Sequence, residues 1–119
     1  MSPDIESADA PLTALPADFS LTFSRNAGSV VVRVAGELDS YTAAMMRERL
    51  ADVIDGQGNL SIVVDLEEVS FLDSTGLSTV VRAYQRLRMR GGSLTVARPS
   101  PAARKIMEMT GLDRLLTGH

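Results

Sequence analysis

Cysteine and tryptophan are absent from this chain, and histidine and lysine occur once each, as His119 and Lys105. Without cysteine there is no disulfide framework, no thiol nucleophile, no thiolate-bound zinc and no iron–sulfur cluster. A histidine placed last leaves no His-dependent triad and no His-ligated metal. A single lysine gives Schiff-base chemistry and a phosphate-binding lysine almost no candidates. Aromatic residues make up 4% of the chain, which offers nucleic-acid bases few platforms to stack on. The longest apolar runs have strand length, far short of the ~20 residues that span a bilayer. The N-terminus lacks a basic region followed by an apolar stretch, so no signal peptide is read. These absences predict a cytoplasmic protein with no direct contact to nucleic acid or membrane.

What is present is enough for one folded unit. The 119 residues are 45% hydrophobic and 23% charged, and a chain of this size buries a core without a staple. The net charge of −3 is uneven. Asp4, Glu6, Asp9 and Asp18 stand in a stretch with no basic residue. Residues 1–17, rich in Ser, Asp, Ala and Pro, lack periodicity and read as a disordered acidic arm. Residues 18–119 then form the domain, close to neutral, unlike a DNA-binding body.

From Phe19 onward the pattern becomes regular. Phe19, Leu21 and Phe23 alternate with polar residues, which predicts a half-buried strand. Asn26-Ala27-Gly28 is a turn, and the β-branched run from Val30 to Ala35 predicts its hairpin partner. Asp39 or Ser40 can cap a first helix whose Met46, Leu50, Val53 and Ile54 fall at helical spacing, and Gly56 and Gly58 stop it. Leu60 to Asp65 reads as a strand apolar on both faces, as in a covered parallel sheet. A second helix begins near Ser74, with Leu77, Val80, Val81, Tyr84 and Leu87 as its buried stripe, and Gly91-Gly92 end it. Ser93 to Ala97 is a fourth strand. Ser100 caps a third helix with Pro101 at its first position, where a missing N–H costs nothing. Gly111 ends that helix, and Leu112, Leu115 and Leu116 fold back onto the core. The order is ββαβαβα: an α/β domain with a mostly parallel four-stranded sheet, an antiparallel first strand, and amphipathic helices packed against it. Periodicity leaves open whether the helices cover one face or both.

Two strand-to-helix junctions stand out, because function in open α/β sheets collects at the carboxyl ends of strands. One is Gly36-Glu37-Leu38-Asp39-Ser40. The other is Phe71-Leu72-Asp73-Ser74-Thr75-Gly76-Leu77. Asp73-Ser74-Thr75 reads either as capping chemistry or as an accessible phosphoacceptor at Ser74. The second reading is physically consistent, since negative charge at a helix N-terminus is tolerated there. Leu72 stands where a nucleophile elbow needs glycine. Gly56-Gln57-Gly58 follows a helix rather than a strand, so it is a helix stop rather than a dinucleotide loop. Asp39 and Asp73 read as caps or, less simply, as a carboxylate pair for Mg²⁺. Arg82, Arg86 and Arg90, at i, i+4 and i+8 with Arg88 nearby, form either a solvated face or a basic face for an acidic partner. The six methionines read as core filling.

Several of these segments resemble a known family. Val63-Val64-Asp65-Leu66 leading to Val69-Ser70-Phe71-Leu72-Asp73-Ser74-Thr75-Gly76-Leu77 resembles the signature of STAS domains, in particular bacterial anti-sigma factor antagonists. Gly36-Glu37-Leu38-Asp39, Gly92-Ser93-Leu94 and Ile106-Met107-Glu108-Met109-Thr110-Gly111-Leu112 match further elements in the same order, over about residues 19–116. The resemblance implies a non-enzymatic partner switch. The unmodified antagonist binds an anti-sigma factor that is also a serine kinase, which frees a sigma factor. The kinase phosphorylates the serine matching Ser74, the complex parts, and a serine phosphatase resets it. Asp39, Ser40, Asp73, Ser74, Thr75, Gly76 and Leu77 are then the expected partner-binding residues, with no metal or cofactor of the chain's own. Thr75 stands where many members carry a second serine. The alternative is a STAS subunit of another assembly, a lipid-transport complex or a stress-sensing scaffold, without sigma-factor regulation.

Overall fold

The computed structural model describes residues 19–56 and 60–117; the acidic arm and Gly58 lie outside them. The elements are β1 (Ser20–Asn26), β2 (Ser29–Leu38), α1 (Ser40–Gly56), β3 (Ser61–Leu72), α2 (Ser74–Met89), β4 (Ser93–Ala97), α3 (Pro101–Thr110) and α4 (Asp113–Thr117). The sheet runs β1-β2-β3-β4. β1 is antiparallel to β2, and the remaining pairs are parallel. This is the ββαβαβα order with a short closing helix in place of a simple fold-back.

Local chemistry sets the boundaries. The β1–β2 hairpin turns through Ala27 and Gly28, with φ of 52° and 89°. Two positive φ angles in a two-residue loop match the right-handed twist of the flanking strands. Ser100 caps α3 by accepting the Ala103 N–H at 3.1 Å, and Gly111 closes it in the left-handed region at φ 76°. Leu87 O accepts the Gly92 N–H at 2.8 Å at the end of α2. Gly92 is required by close approach, because a Cβ there meets the backbone carbonyl of Leu60.

The core lies on one side of the sheet. Val30, Val32, Val34, Ile62, Val64, Leu94 and Val96 are buried on that side, under Met46, Leu50 and Ile54 of α1 and Val80, Ala83 and Leu87 of α2. On the opposite side Thr22, Arg33 and Thr95 are exposed, and Val31 and Val63 only half-buried. The expectation that Leu60 to Asp65 is covered on both faces is therefore corrected. Its outward row is tolerated because Val31, Val63 and Thr95 sit side by side in register and shield one another. α3 packs on β3, and α4 on β4, with Met107 and Leu116 fully buried. Core filling by methionine holds for Met46 and Met107 but not for Met89 and Met109, which are 87% and 72% exposed.

One charge is sealed into the outward face. Asp65 is 3% exposed. Its Oδ2 lies 2.5 Å from Arg98 Nη2 and 3.5 Å from Arg33 Nε, and its Oδ1 accepts the Glu67 N–H at 3.0 Å. Burial pushes its pKa up, but the hydrogen bonds and charge of Arg98, the Glu67 N–H and Arg33 outweigh this and hold it below 3.8. A carboxyl lowered on folding contributes stability above its unfolded pKa, and that contribution is lost as pH falls through the folded value. Asp65→Asn is expected to cost about 1–3 kcal/mol at pH 7. The cost stays below that of a fully buried pair, since both arginines are half exposed and regain water. Urea unfolding at pH 7 and at pH 3 checks this. The deficit of the variant narrows at the lower pH; an equal deficit at both assigns the effect to shape instead of charge.

Candidate functional site

The site is built where β2 and β3 end side by side. Leu38 pairs with Leu72 in the parallel ladder, so the two following helices start next to each other. Asp39 caps α1. Its Oδ1 accepts the N–H groups of Tyr41 and Thr42, each at 3.0 Å, and the Thr42 hydroxyl at 3.1 Å. The Thr42 hydroxyl accepts the Asp39 N–H at 2.9 Å and lies 2.7 Å from the Glu37 carbonyl. The Thr42 N–H is the largest influence on the Asp39 carboxyl; burial opposes it, and the Thr42 hydroxyl and the Tyr41 N–H add to it, so that the carboxyl is held below its ordinary value. Asp73 caps α2 by accepting the Gly76 N–H at 2.8 Å on Oδ1. Both aspartates thus satisfy helix amides that would otherwise lack partners.

Because Asp73 takes the capping role, Ser74 becomes the first helical residue and its hydroxyl is left over. Ser74 and Thr75 are exposed, as is Ser40 at the start of α1. Gly76 and Leu77 face inward, Leu77 at 3% exposure. Leu77 also lines a depression on one flank of Ser74, and both residues hold the junction in place. Gly76 does so through proximity. A Cβ at this position falls 2.5 Å from the Leu38 carbonyl oxygen and 2.9 Å from Leu72 Cδ1. The Asp73 N–H also points to that carbonyl, at 3.5 Å. Any side chain at Gly76 levers the start of α2 away from the start of α1.

Around Ser74 the surface is concave. One depression of about 300 Å³ is lined by Ser74, Thr75, Ser78 and Thr79 of α2 together with Arg47 and Arg82. Another, of about 320 Å³, lies on the other flank of Ser74 and reaches Thr110 and Leu112. Two large side chains stand exposed beside the junctions, Tyr41 at 57% and Phe71 at 46%. Exposed aromatics next to a polar patch are typical of surfaces that meet other proteins. Sequence reasoning passed over Tyr41, and used Phe71 only as part of a motif. Phe71 pairs with Glu37 in the ladder on the far side of a register shift, which strand alternation alone does not reveal. As a metal pair, Asp39 and Asp73 are each committed through Oδ1 to capping. Among the described residues no group of three or more histidine, aspartate or glutamate side chains is placed to hold an ion. Among the same residues no helix is long and apolar enough to cross a membrane.

Known proteins share this fold. The STAS domain family matches residues 20–119. An anti-sigma-B factor antagonist from Listeria monocytogenes is 36% identical over 92 residues, covering 77% of this chain and 80% of that protein. The crystal structure of an anti-sigma factor antagonist from Mycobacterium paratuberculosis superposes with a TM-score of 0.71 at 29% identity, covering 86% of both chains. The unphosphorylated form of the anti-sigma factor antagonist SpoIIAA superposes with a TM-score of 0.71 at 27% identity, over 79% of this chain and 83% of that one. The same protein from Bacillus has also been solved in its phosphorylated form, and superposes with a TM-score of 0.64 at 27% identity, over 78% and 85%. With the four-stranded sheet, the two capped junctions and the serine between them, these matches establish that the chain belongs to the STAS domain family.

Proposed function

We propose that this chain is an anti-sigma factor antagonist whose affinity for its partner is set by phosphorylation of Ser74. In the unmodified state it binds an anti-sigma factor with serine kinase activity and frees a sigma factor. The kinase then moves the γ-phosphoryl group of ATP onto Ser74 Oγ. The O–H bond breaks, an O–P bond forms, ADP leaves and the proton passes to a base of the kinase. A serine phosphatase hydrolyses the ester and restores the binding form. Asp39, Ser40, Asp73, Ser74 and Thr75 form the polar centre of the contact surface, with Tyr41 and Phe71 at its edge.

The observation that carries this reading is the hydroxyl of Ser74: exposed, at the first position of a helix whose cap is another residue. It makes no hydrogen bond among the described residues, so esterifying it breaks no contact. A phosphate there brings a charge of about −1.5 to −2. At the start of a helix that charge is favoured by roughly 0.3–1 kcal/mol, so the domain stays folded while its surface changes. The names of the relatives, and the two states in which SpoIIAA has been solved, support the same reading.

The direct test is intact-mass spectrometry after incubation with ATP, Mg²⁺ and the anti-sigma factor recovered with the chain from its own cells. One added phosphate, mapped to Ser74 and absent in Ser74→Ala, is the expected result. Modification at Thr75 alone, or none, overturns the reading.

A further inference from the structure

We propose that Arg82 and Arg47 form a clasp for the phosphate carried by Ser74, so that modification also withdraws two cations from the groove between α1 and α2. The proposal rests on the phosphoacceptor reading of Ser74.

The groove has a volume of about 550 Å³ and is lined by Arg47, Arg82, Arg86 and Arg90. These four are not equivalent. Arg86 donates to Asp55 from Nε, at 3.1 Å to Oδ1, and from Nη2, at 2.7 and 2.8 Å to the two oxygens, and Arg90 lies 4.0 Å from the same carboxylate. Arg47 and Arg82 sit at the other end, where no described carboxylate pairs with them. That end opens into the depression that also contains Ser74. Arg82 lines the depression on the other flank of Ser74 as well, so it borders the serine on both sides.

Helix geometry aims Arg82 at the modified residue. Ser74, Ser78 and Arg82 lie at i, i+4 and i+8 along one face, and side chains on a helix lean toward its N-terminus. The Cα atoms of Ser74 and Arg82 are about 12 Å apart along the axis. An extended arginine and a phosphoserine meet across that span, and the small side chain of Ser78 leaves the path clear. Arg47 approaches from α1, on the opposite wall. Two guanidinium groups match a dianion in charge, and each presents a donor fork that fits phosphate oxygens. The acidic group nearest in sequence, Asp73, opposes the phosphate but is held by the Gly76 N–H. In the unmodified chain both arginines are available to an approaching partner; in the modified chain they are occupied.

Phosphoserine installed at position 74 during synthesis of the full chain makes the test independent of any kinase. Phosphorus NMR then follows the second ionisation of the phosphate at low ionic strength. An unperturbed phosphoserine titrates near pH ~6. In the wild-type background the midpoint is expected about half a pH unit or more lower, and in Arg47→Gln/Arg82→Gln it returns toward the free value. Arg88→Gln, which removes a charge farther along α2, leaves it in place. The side-chain Nε–H resonances of Arg47 and Arg82 shift on phosphorylation, and that of Arg86 does not. Identical titration in wild type and double variant, or unmoved Arg47 and Arg82 resonances, overturns the clasp. If no kinase esterifies Ser74 while the installed phosphate still titrates low, the clasp stands and the partner switch falls.

Discussion

Phosphorylation of Ser74 is expected to weaken binding to the anti-sigma factor about a thousandfold, while Ser74→Ala binds as tightly as the unmodified chain. A thousandfold change corresponds to about 4 kcal/mol. The added group supplies this in two ways. It places a hydrated dianion against a surface fitted to a neutral hydroxyl, so the complex loses contact area and pays for stripping water from the charge. It also stands beside the carboxylates of Asp73 and Asp39 at the paired ends of β2 and β3, which concentrates negative charge on a patch the partner must approach. Ser74→Asp is expected to weaken binding less, because one carboxylate is smaller and carries less charge. Titration calorimetry on the wild-type, alanine, aspartate and phosphorylated chains reads the series directly. Equal affinity across all four excludes a charge switch at this residue.

The second large effect is structural and concerns Gly76. Replacing it with alanine puts a methyl group 2.5 Å from the backbone oxygen of Leu38. A flexible side chain could move aside, but a carbonyl at the end of a paired strand cannot do so without breaking the ladder. Overpacking of this kind costs about 1–3 kcal/mol, and the contact with backbone puts Gly76→Ala at the upper end. The helix propensity gained by alanine recovers less than about 1 kcal/mol. The net loss lowers the thermal midpoint by roughly 10 °C for a domain of this size. Since α2 starts here, the variant is also expected to lose partner affinity even when kept folded at low temperature. Gly56→Ala is the matched control, because a Cβ there meets nothing within 4 Å, and its midpoint stays within a few degrees of wild type. Differential scanning calorimetry on both variants decides the matter. A Gly76→Ala midpoint equal to that of Gly56→Ala shows that α2 can retreat freely.

Much of the fold was legible from the sequence because its punctuation is local. Ser100-Pro101 and Gly111 bracket α3 through contacts within a few residues, and the Leu77, Val80 and Leu87 stripe reports the buried face of α2 whatever lies beneath it. The ends of β2 and β3 were not legible. Both strands run on, to Leu38 and Leu72, across two register shifts, through Glu37, Glu67, Glu68 and Ser70. Polar residues there hide strand character that comes from backbone pairing with a neighbour. Asp65 read as the last residue of a strand; its seal under Arg33 and Arg98 joins residues 32 and 33 positions apart. The caps at Asp39 and Asp73 were visible as residue types. That they lie side by side follows from parallel pairing, and the one sequence sign of it is a glycine, Gly76, early in a helix where alanine is otherwise preferred. Arg47 carries no sign at all, because its place beside Ser74 depends on how two helices pack.

The unbroken strand order has a consequence for the kind of partner this fold can serve. In a doubly wound sheet the order reverses midway, the two crossovers diverge to opposite sides, and a crevice opens between them that holds a small molecule. Here the strands follow one another without reversal, and both crossovers step the same way onto the same side. The ends of β2 and β3 therefore lie side by side at one rim of the sheet instead of parting around a slot. On the proposed reading that rim meets a broad protein footprint, and a single tethered anion at its middle spoils the fit.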